Sequence, residues 1–343
     1  MNGHDIVVMG ASAGGVRTLR TIFAAFPPTL PAAILVTLHI TPDAPSVLPD
    51  LLGRASRLPA GHAVDGEPVE KGRIYVAPPD HHLLVRGGAI GLSRGPRESG
   101  ARPAADPMFR SAAREYGPRV IGVVLSGGLD DGTAGLRAIK ARGGISVVQA
   151  PESALVAEMP RNAIAEGVAD YIVHLDELPA RLLELIKAPA PMVTVSRPSD
   201  DAELVAARVD RGVLYQTQPG VPSDFTCPDC GGVLRLIPDK HASHYRCQVG
   251  HAWNQRSLLA AQVERIEESL WAAVRALEEH AKLTRRVRDD LKRRNARTVV
   301  DRLDERLSES EHHAREIRKL LLKRFDEPAT VEEDDDVTQQ TAT

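Results

Sequence analysis

The sequence has 343 residues, of which 43% are hydrophobic and 26% charged, as in a soluble globular protein, and a chain longer than roughly 250–300 residues is expected to add an appendage to its main core. The net charge of −3 gives no global reason to expect nucleic acid or a membrane as a partner. Three cysteines, an odd number, argue against a disulfide framework, and the first residues lack the features of a signal peptide, so we expect a cytoplasmic location without membrane insertion.

Residues 1–187 alternate short β-rich runs with helix-length patterns. This alternation predicts an α/β fold, a doubly wound, mostly parallel sheet with helices on both faces. Two apolar runs within 82–92 flank a Gly-Gly pair, which predicts a small antiparallel hairpin added to the sheet. The predicted strands are 6–9, 33–38, 73–77, 119–125, 145–148 and 171–173, and the predicted helices are 16–26, 45–55, 107–116, 132–141 and 177–186.

The chain after residue 187 divides into four segments of different composition. Residues 188–223 are Pro-rich and aperiodic, which indicates a linker, and residues 224–254 contain all three cysteines. Residues 255–325 contain neither Gly nor Pro and are predicted to form an amphipathic helical region. Residues 326–343 form an acidic tail that we expect to be disordered.

Apolar residues in the helical region recur at steps of three and four. We expect a hairpin that bends near 292–297, because such a pairing would bury both apolar stripes in a coiled-coil-like contact. The basic residues of 282–297 are interpreted as a solvated helix face, since no aromatic platform for nucleic acid accompanies them. We expect the region 255–325 to mediate self-association or docking to a partner helix. The two stripes are 259, 263, 266, 270, 274 and 277, and 300, 303, 307, 314, 317 and 321.

The Gly-rich turn at residues 10–15 follows the apolar run 6–9 and precedes a helical pattern. Such a junction either holds a phosphate on its backbone N–H groups or exposes a serine as a nucleophile. The turn has neither the Gly-Lys-Ser/Thr ending of a P-loop nor the Gly-x-Gly-x-x-Gly of a dinucleotide site. We therefore favour Ser12 as a nucleophile over a nucleotide-binding turn.

Two further strand ends carry groups that would complete a catalytic triad. His39 directly follows strand 33–38, and Asp130 and Asp131 lie in the Gly-rich turn after strand 119–125. Functional groups gather at the carboxyl ends of neighbouring strands in such a sheet, so the histidine is placed to take the serine proton and one aspartate to orient it. Each residue alone is more often a helix cap or a turn residue, but their convergence at one sheet edge favours catalysis.

Six segments in this region resemble, in the same order, the catalytic domain of CheB, the protein-glutamate methylesterase of bacterial chemotaxis. The resemblance covers residues 5–187 and implies that Ser12 is the nucleophile, that His39 is the base and that Asp131, rather than Asp130, is the orienting acid. The segments are 10–15 (GASAGG), His39, 74–80 (IYVAPPD), 106–111 (DPMFRS), 125–132 (LSGGLDDG) and 159–164 (MPRNAI).

The resemblance also implies the reaction. A serine hydrolase of this family removes methyl groups from glutamate γ-methyl esters of methyl-accepting chemotaxis receptors and releases methanol, and related enzymes also deamidate glutamine by the same acyl-enzyme route. No cofactor is expected for catalysis. The chain starts at the first catalytic strand, so we expect the family's receiver domain and its phospho-aspartate gating to be absent or supplied by another protein.

Two positions depart from the family's pattern. Ala13 stands where the family usually has Thr, and Gly128 stands where it usually has Met. These departures keep an alternative open, a catalytically weakened scaffold that binds receptors or signalling partners through its helical region.

Four metal-ligating side chains recur with the spacing C-x2-C…C-x3-H. Because four ligands leave no coordination position open, they predict a structural zinc ion in a zinc-knuckle-like module over 224–254. His241 and His244 are competing ligands, and a metal-free module with three reduced cysteines is the alternative. The predicted ligands are Cys227, Cys230, Cys247 and His251.

Overall fold

The computed structural model describes residues 3–42, 45–191, 220–237, 244–293 and 297–326. Contacts divide the chain into two units, Met1–Leu259 and Ala260–Thr343. Most of the predicted linker and nearly all of the predicted acidic tail lie outside the described residues, as does His241.

The first unit is built on one parallel sheet. Its strands are β1 (Ile6–Ala11), β2 (Ala33–Leu38), β3 (Ala60–His62), β4 (Ile74–Val76), β7 (Val120–Val124), β8 (Ile145–Gln149) and β9 (Tyr171–Val173), and the hairpin strands β5 (His82–Arg86) and β6 (Ala89–Ser93) lie between them in sequence. The order across the sheet is β3-β4-β2-β1-β7-β8-β9, and every neighbouring pair is parallel. The central strands β1 and β2 are buried at every position, which explains their continuous apolar sequences.

Helices cover both faces of this sheet, as the alternating pattern predicts. One face packs against Ile22, Phe23 and Leu182, and the other face packs against Phe109 and Leu136. The doubly wound fold is therefore confirmed. The helices are α1 (Gly15–Ala24), α2 (Leu48–Ala55), α3 (Ala105–Tyr116), α4 (Thr133–Ala141), α5 (Glu158–Ala165) and α6 (Leu178–Lys187).

Three local features differ from the predicted elements. The hairpin β5–β6 forms its own two-stranded sheet and packs on α3, so it does not extend the main sheet. Strand β3 has no predicted counterpart, because its three residues, Ala-Gly-His, are too few to show a period. Helix α5 has none either, since it spans eight residues and carries Pro160 in its first turn.

The Cys/His module lies in the first unit and forms a four-stranded antiparallel sheet. Its strands follow one another in order, so each pairs with its neighbour in sequence. They are β10 (Val221–Thr226), β11 (Val233–Ile237), β12 (His244–Cys247) and β13 (Ala252–Asn254).

Two long helices follow, α7 (Gln255–Arg293) and α8 (Arg297–Asp326). In the second unit, Arg288 Nη1 donates to Asp304 Oδ1 at 2.9 Å, and the His280 ring lies 3.0 Å from the Ser310 hydroxyl. These contacts place the helices antiparallel, as a hairpin bending near 292–297 requires.

The two predicted apolar stripes are covered unequally. Buried positions are Val274, Val300, Leu307, Ala314 and Leu321, whereas exposed positions include Leu259, Val263 and Ile266. The expectation that pairing would bury both stripes therefore fails for the beginning of α7. None of the described helices combines the length and the apolar character that crossing a membrane requires.

Candidate active site and metal site

The ends of β1 and β2 place Ser12 and His39 beside each other. Ala11 pairs with Leu38 in the parallel register, and the His39 N–H donates to the Ala11 carbonyl at 3.1 Å. Ser12 directly follows β1 and His39 directly follows β2, and neighbouring strands of a sheet lie about 4.8 Å apart. The sheet edge thus brings the predicted nucleophile and the predicted base together.

A tight turn presents Ser12 at the start of α1. The Ser12 N–H donates to the Ser126 carbonyl at 2.9 Å, and the Gly15 N–H donates to the Ser12 carbonyl at 2.9 Å. Gly14 adopts a left-handed conformation with φ of 81°. A β-carbon there would lie 2.7 Å from both Leu155 Cβ and Ser126 Oγ, so this turn requires glycine.

The second Gly-rich turn, after β7, packs directly on the first. A β-carbon on Gly127 would lie 2.8 Å from Ser12 Cβ and 2.1 Å from Met159 Sδ. The Ser126 hydroxyl donates to the Ala13 carbonyl at 2.7 Å. Glycine at 127 is therefore required by close approach, and Ser126 fixes the two turns relative to each other.

Asp131 is the carboxylate that contacts His39. Their Nε2 and Oδ2 atoms lie 2.7 Å apart, with the aspartate side chain 1% exposed and the histidine 21% exposed. In the neutral imidazole, Nε2 is then the donor to this carboxylate, and Nδ1 is the nitrogen with a free lone pair. The arrangement fits a base that is oriented by a buried acid.

Three backbone N–H groups hold the same carboxylate. Ala105 donates to Oδ2 at 2.6 Å, while Asp106 and Gly132 donate to Oδ1 at 3.1 and 3.0 Å. Helix α3 has no capping side chain of its own, so Asp131 accepts from the N–H groups of its first turn. Burial raises the pKa of Asp131, but the His39 contact and these N–H groups outweigh burial and hold the pKa below its usual range.

A second buried carboxyl, Asp106, lies beside Asp131. Its Oδ1 accepts from the Gly135 N–H at 2.6 Å. Burial, and then the charge of Asp131, raise the pKa of Asp106 well above its usual range. A protonated Asp106 avoids placing two negative charges side by side, which leaves Asp131 as the ionised partner of His39.

The turn before Asp131 has a strained backbone, and side chains of helix α5 hold it in place. Leu129 adopts a positive φ of 62°, which is uncommon for a residue with a side chain. Its N–H donates to Glu158 Oε2 at 2.8 Å, and its carbonyl accepts from Asn162 Nδ2. Helix α5 therefore fixes the backbone conformation that delivers Asp131.

Two candidate residues are not joined to the His39–Asp131 pair. Within the residues that the structure describes, no hydrogen bond connects the Ser12 hydroxyl with His39. Asp130 accepts from the Ser257 hydroxyl instead of contacting His39. Of the two adjacent aspartates, only Asp131 is thus placed to orient the imidazole.

The four predicted metal ligands come together in the Cys/His module. The Gly231 N–H donates to the Cys227 carbonyl and the Gly250 N–H to the Cys247 carbonyl, which closes a knuckle turn at each pair. His244 lies on β12 opposite Asn254 and is not a member of the cluster. The four side chains form a group able to hold a metal ion, with ligand atoms within 4.8 Å of one another: Cys227, Cys230, Cys247 and His251.

Several residues that support Asp131 have no role predicted from the sequence. The motifs 106–111 and 159–164 contain Asp106 and Asn162, but their part in holding Asp131 and the turn before it depends on backbone geometry. The N–H groups at the start of α3 carry almost no sequence signal, because any residue other than proline supplies them.

Comparisons with known proteins identify the family of the first part of the chain. The family model described as CheB methylesterase matches residues 7–182. The crystal structure of the Thermotoga maritima CheB methylesterase catalytic domain superposes with a TM-score of 0.52 at 36% identity, over 54% of this chain and 100% of that chain.

Curated relatives are named as protein-glutamate methylesterases/protein-glutamine glutaminases, and they differ in how much of their length is matched. The protein-glutamate methylesterase/protein-glutamine glutaminase of Pyrococcus abyssi is 40% identical over 188 residues, which are 53% of this chain and 51% of that protein. A second, from Anaeromyxobacter dehalogenans, is 39% identical over 183 residues, 53% of this chain and 54% of that protein. A relative from Leptospira interrogans is 33% identical over 183 residues, which are 95% of that protein.

The chain thus spans about half the length of the first curated relatives that it matches. The family match extends over residues 7–182 of 343 and includes Ser12, His39 and Asp131. The Cys/His module and the long helices lie outside it. The chain belongs to the CheB methylesterase family.

Proposed function

We propose that this chain is a protein-glutamate methylesterase that acts on methyl-accepting chemotaxis receptors in the cytoplasm, and that it also deamidates receptor glutamines. The observation that carries the proposal is the 2.7 Å contact between His39 and Asp131 at the sheet edge where Ser12 follows β1. The names of the relatives, which are methylesterases and glutaminases, support the substrate class.

In the proposed reaction, the Ser12 hydroxyl attacks the carbonyl carbon of the glutamate γ-methyl ester. Its proton passes to His39 Nδ1, because Nε2 faces Asp131. The tetrahedral intermediate expels the methoxy group, which takes that proton and leaves as methanol. Water then attacks the acyl-enzyme and gives one proton to His39, and Ser12 leaves with that proton. The glutamic acid formed on the receptor releases its remaining proton to solvent and becomes a carboxylate.

Backbone N–H groups would stabilise the negative oxygen of the intermediate. Ala13 and Gly14 lie between Ser12 and the first residue of α1, where N–H groups point outward and the helix dipole favours negative charge. The two departures from the family pattern, Ala13 and Gly128, change side chains and keep the backbone N–H. Catalysis through main-chain donors is therefore compatible with both.

The test uses a receptor cytoplasmic domain that carries isotopically labelled methyl esters. The wild-type chain is expected to release labelled methanol, and Ser12→Ala is expected to release none above background while keeping its circular dichroism spectrum. Equal release by both proteins would refute the assignment of Ser12. Receptor binding by the wild-type chain without methanol release would favour the scaffold alternative.

We also propose that the Cys/His cluster holds a structural zinc ion. Tetrahedral zinc with bonds of about 2.3 Å to sulfur and about 2.0–2.1 Å to nitrogen has S–S edges of about 3.8 Å and S–N edges of about 3.6 Å. The cluster has a Cys230–Cys247 sulfur separation of 3.6 Å and distances of 3.7 and 3.5 Å from Cys227 and Cys247 to His251 Nδ1. Asp229 faces the other ring nitrogen of the histidine at 4.0 Å, as an outer carboxylate commonly does.

Zinc would hold two knuckle turns together by closing all four coordination positions, so no role in catalysis is assigned to it. Elemental analysis of dialysed protein is expected to find about one zinc per chain, and Cys230→Ser is expected to lose most of it. Wild-type protein with less than about 0.1 equivalents of zinc would contradict the proposal and favour three reduced cysteines.

A further inference from the structure

The Cys/His module reaches the elements that hold Asp131 through a buried ion cluster. Glu98, in the loop before α3, accepts from Arg110 Nη2 with both oxygens at 2.8 Å and from Arg246 Nη2 at 3.0 Å. All three side chains are at most 7% exposed. Burial raises the pKa of Glu98, but the two arginine charges outweigh it and keep the carboxyl ionised.

Each arginine of this cluster lies close to one of the two candidate sites. Arg110 lies on α3, one turn after the Ala105 and Asp106 N–H groups that hold Asp131. Arg246 directly precedes Cys247, and its Nη1 donates to the Gly250 carbonyl inside the second knuckle. A single buried carboxylate thus connects a metal-binding turn with the helix that positions the catalytic acid.

Backbone pairing adds a second connection between the module and the loop before α3. The Ser99 N–H donates to the Ala252 carbonyl at 2.8 Å, and the Ala252 N–H donates to the Arg97 carbonyl at 3.2 Å. The Trp253 indole is buried, and a β-carbon on Gly100 would lie 3.4 Å from its ring. Strand β13, which directly follows His251, is therefore paired with the segment that leads into α3.

Binding and loss of a metal ion would give the Cys/His module two states, one ordered and one loosened, and a regulatory element needs two such states. Small Cys/His modules fold with their metal and loosen without it, because the metal replaces an extended hydrophobic core. With the knuckles closed, Arg246 is held against Glu98. If the knuckles opened, Arg246 would no longer be held against Glu98, and the backbone pairing to residues 97 and 99 would lose its support. Both connections to the start of α3 would then be weakened.

We propose that the metal-loaded Cys/His module is a positioning element for Asp131, acting through Arg246 and the Glu98–Arg110 pair, so that zinc occupancy regulates the esterase. This inference rests on the proposed function of Ser12, His39 and Asp131. Arg246 touches no reacting atom and is a positioning residue. By linkage, a ligand that favours the assembled triad must also favour the bound metal, and to the same degree.

The test compares Arg246→Met with Arg235→Met in the full, zinc-loaded chain. Arg235 is the cross-strand neighbour of Arg246 on β11 and donates to the carbonyl of Gly220, which directly precedes β10 at the other edge of the sheet, so it is a matched control. The rate at which a fluorophosphonate labels Ser12 is measured together with zinc content. We expect Arg246→Met to retain zinc and to label about 5-fold to 150-fold more slowly, Arg246→Lys to recover part of the rate, and Arg235→Met to stay within about 2-fold of wild type.

A second measurement uses wild-type protein alone. The equilibrium distribution of zinc between the protein and the chelator 4-(2-pyridylazo)resorcinol is measured before and after phosphonylation of Ser12, and tighter zinc binding by the labelled protein is expected. Because this measurement does not use the Arg246→Met variant, it still tests the inference if that variant loses its zinc. Unchanged labelling of a zinc-loaded Arg246→Met, or equal zinc affinity of labelled and unlabelled protein, overturns the inference. Absence of labelling in the wild type would instead overturn the proposed function itself.

Discussion

The Nε2 atom of His39 lies 2.7 Å from Oδ2 of Asp131, although the two residues are 92 positions apart in the chain. The contact exists because β1 lies between β2 and β7, so that residues following these strands meet at one edge of the sheet. The aspartate is also held by the first N–H groups of α3, which makes its position a property of the fold rather than of one side-chain rotamer.

Replacing Asp131 by asparagine should abolish most activity without unfolding the protein. The amide cannot stabilise the imidazolium and favours the wrong tautomer of His39, which lowers the turnover of serine proteases by about 10⁴-fold. We expect a loss of that order in the hydrolysis of a methylated receptor or an activated ester by Asp131→Asn.

The adjacent residue is the matched control for this substitution. Asp130 accepts from Ser257, and asparagine keeps an oxygen acceptor for that contact. Asp130→Asn is therefore expected to stay within about 10-fold of the wild-type rate. A larger loss for Asp130→Asn than for Asp131→Asn would show that the orienting acid is misassigned.

The conformation of the nucleophile turn should depend on Gly14. Any residue other than glycine meets a backbone cost of about 1–2 kcal/mol at φ of 81°, and overpacking against Leu155 and Ser126 adds about 1–3 kcal/mol. Gly14→Ala should lower the free energy of unfolding in urea by the sum and slow the labelling of Ser12.

Gly167 provides the comparison, because it has φ of 64° and a β-carbon added there would meet no atom within 4 Å. Gly167→Ala should meet the backbone cost alone and leave labelling unchanged. Equal destabilisation by the two substitutions would mean that the packing around Gly14 is looser than the structure has it.

The raised pKa of Asp106 predicts how stability depends on pH. The folded protein retains this proton at pH values where the unfolded chain, with a carboxyl pKa of 3.8, has lost it. Stability from this group is therefore full below the unfolded pKa and declines as the pH rises toward the folded value of about 8. Because asparagine does not titrate, the Asp106→Asn variant should not show this decline in stability.

Urea midpoints of wild type and Asp106→Asn should thus diverge between about pH 5 and pH 8, with the variant gaining relative stability as the pH rises. Parallel midpoint curves for wild type and Asp106→Asn would argue that Asp106 is ionised in the folded protein.

Much of the fold could be predicted from the sequence because its parallel strands are buried on both faces. Strands β1, β2 and β7 are continuous apolar runs, and each ends in a Gly-rich turn or a histidine, so their boundaries are sharp. The order of the strands follows from the βαβ rules only in part, which is why the sequence does not show that the hairpin β5–β6 stands apart from the main sheet.

The types of residue in the site could be predicted from the sequence, but their arrangement in space could not. Ser12, His39 and Asp131 follow predicted strands and match the motifs of one family, but their support consists of main-chain groups and of distant side chains such as Glu158. The ion cluster of Glu98 with Arg246 joins residues 148 positions apart. No local pattern marks such a pair, because each residue is an ordinary surface type until the fold buries it.

The most direct test of the triad is covalent labelling of the wild-type chain by a fluorophosphonate, with the site read by peptide mass spectrometry. An activated serine is required for the reaction, so one label per chain is expected on the peptide that contains Ser12, with none on Ser12→Ala and strongly slowed labelling of Asp131→Asn. Failure of the wild type to react, or a label that persists in Ser12→Ala, would contradict the account.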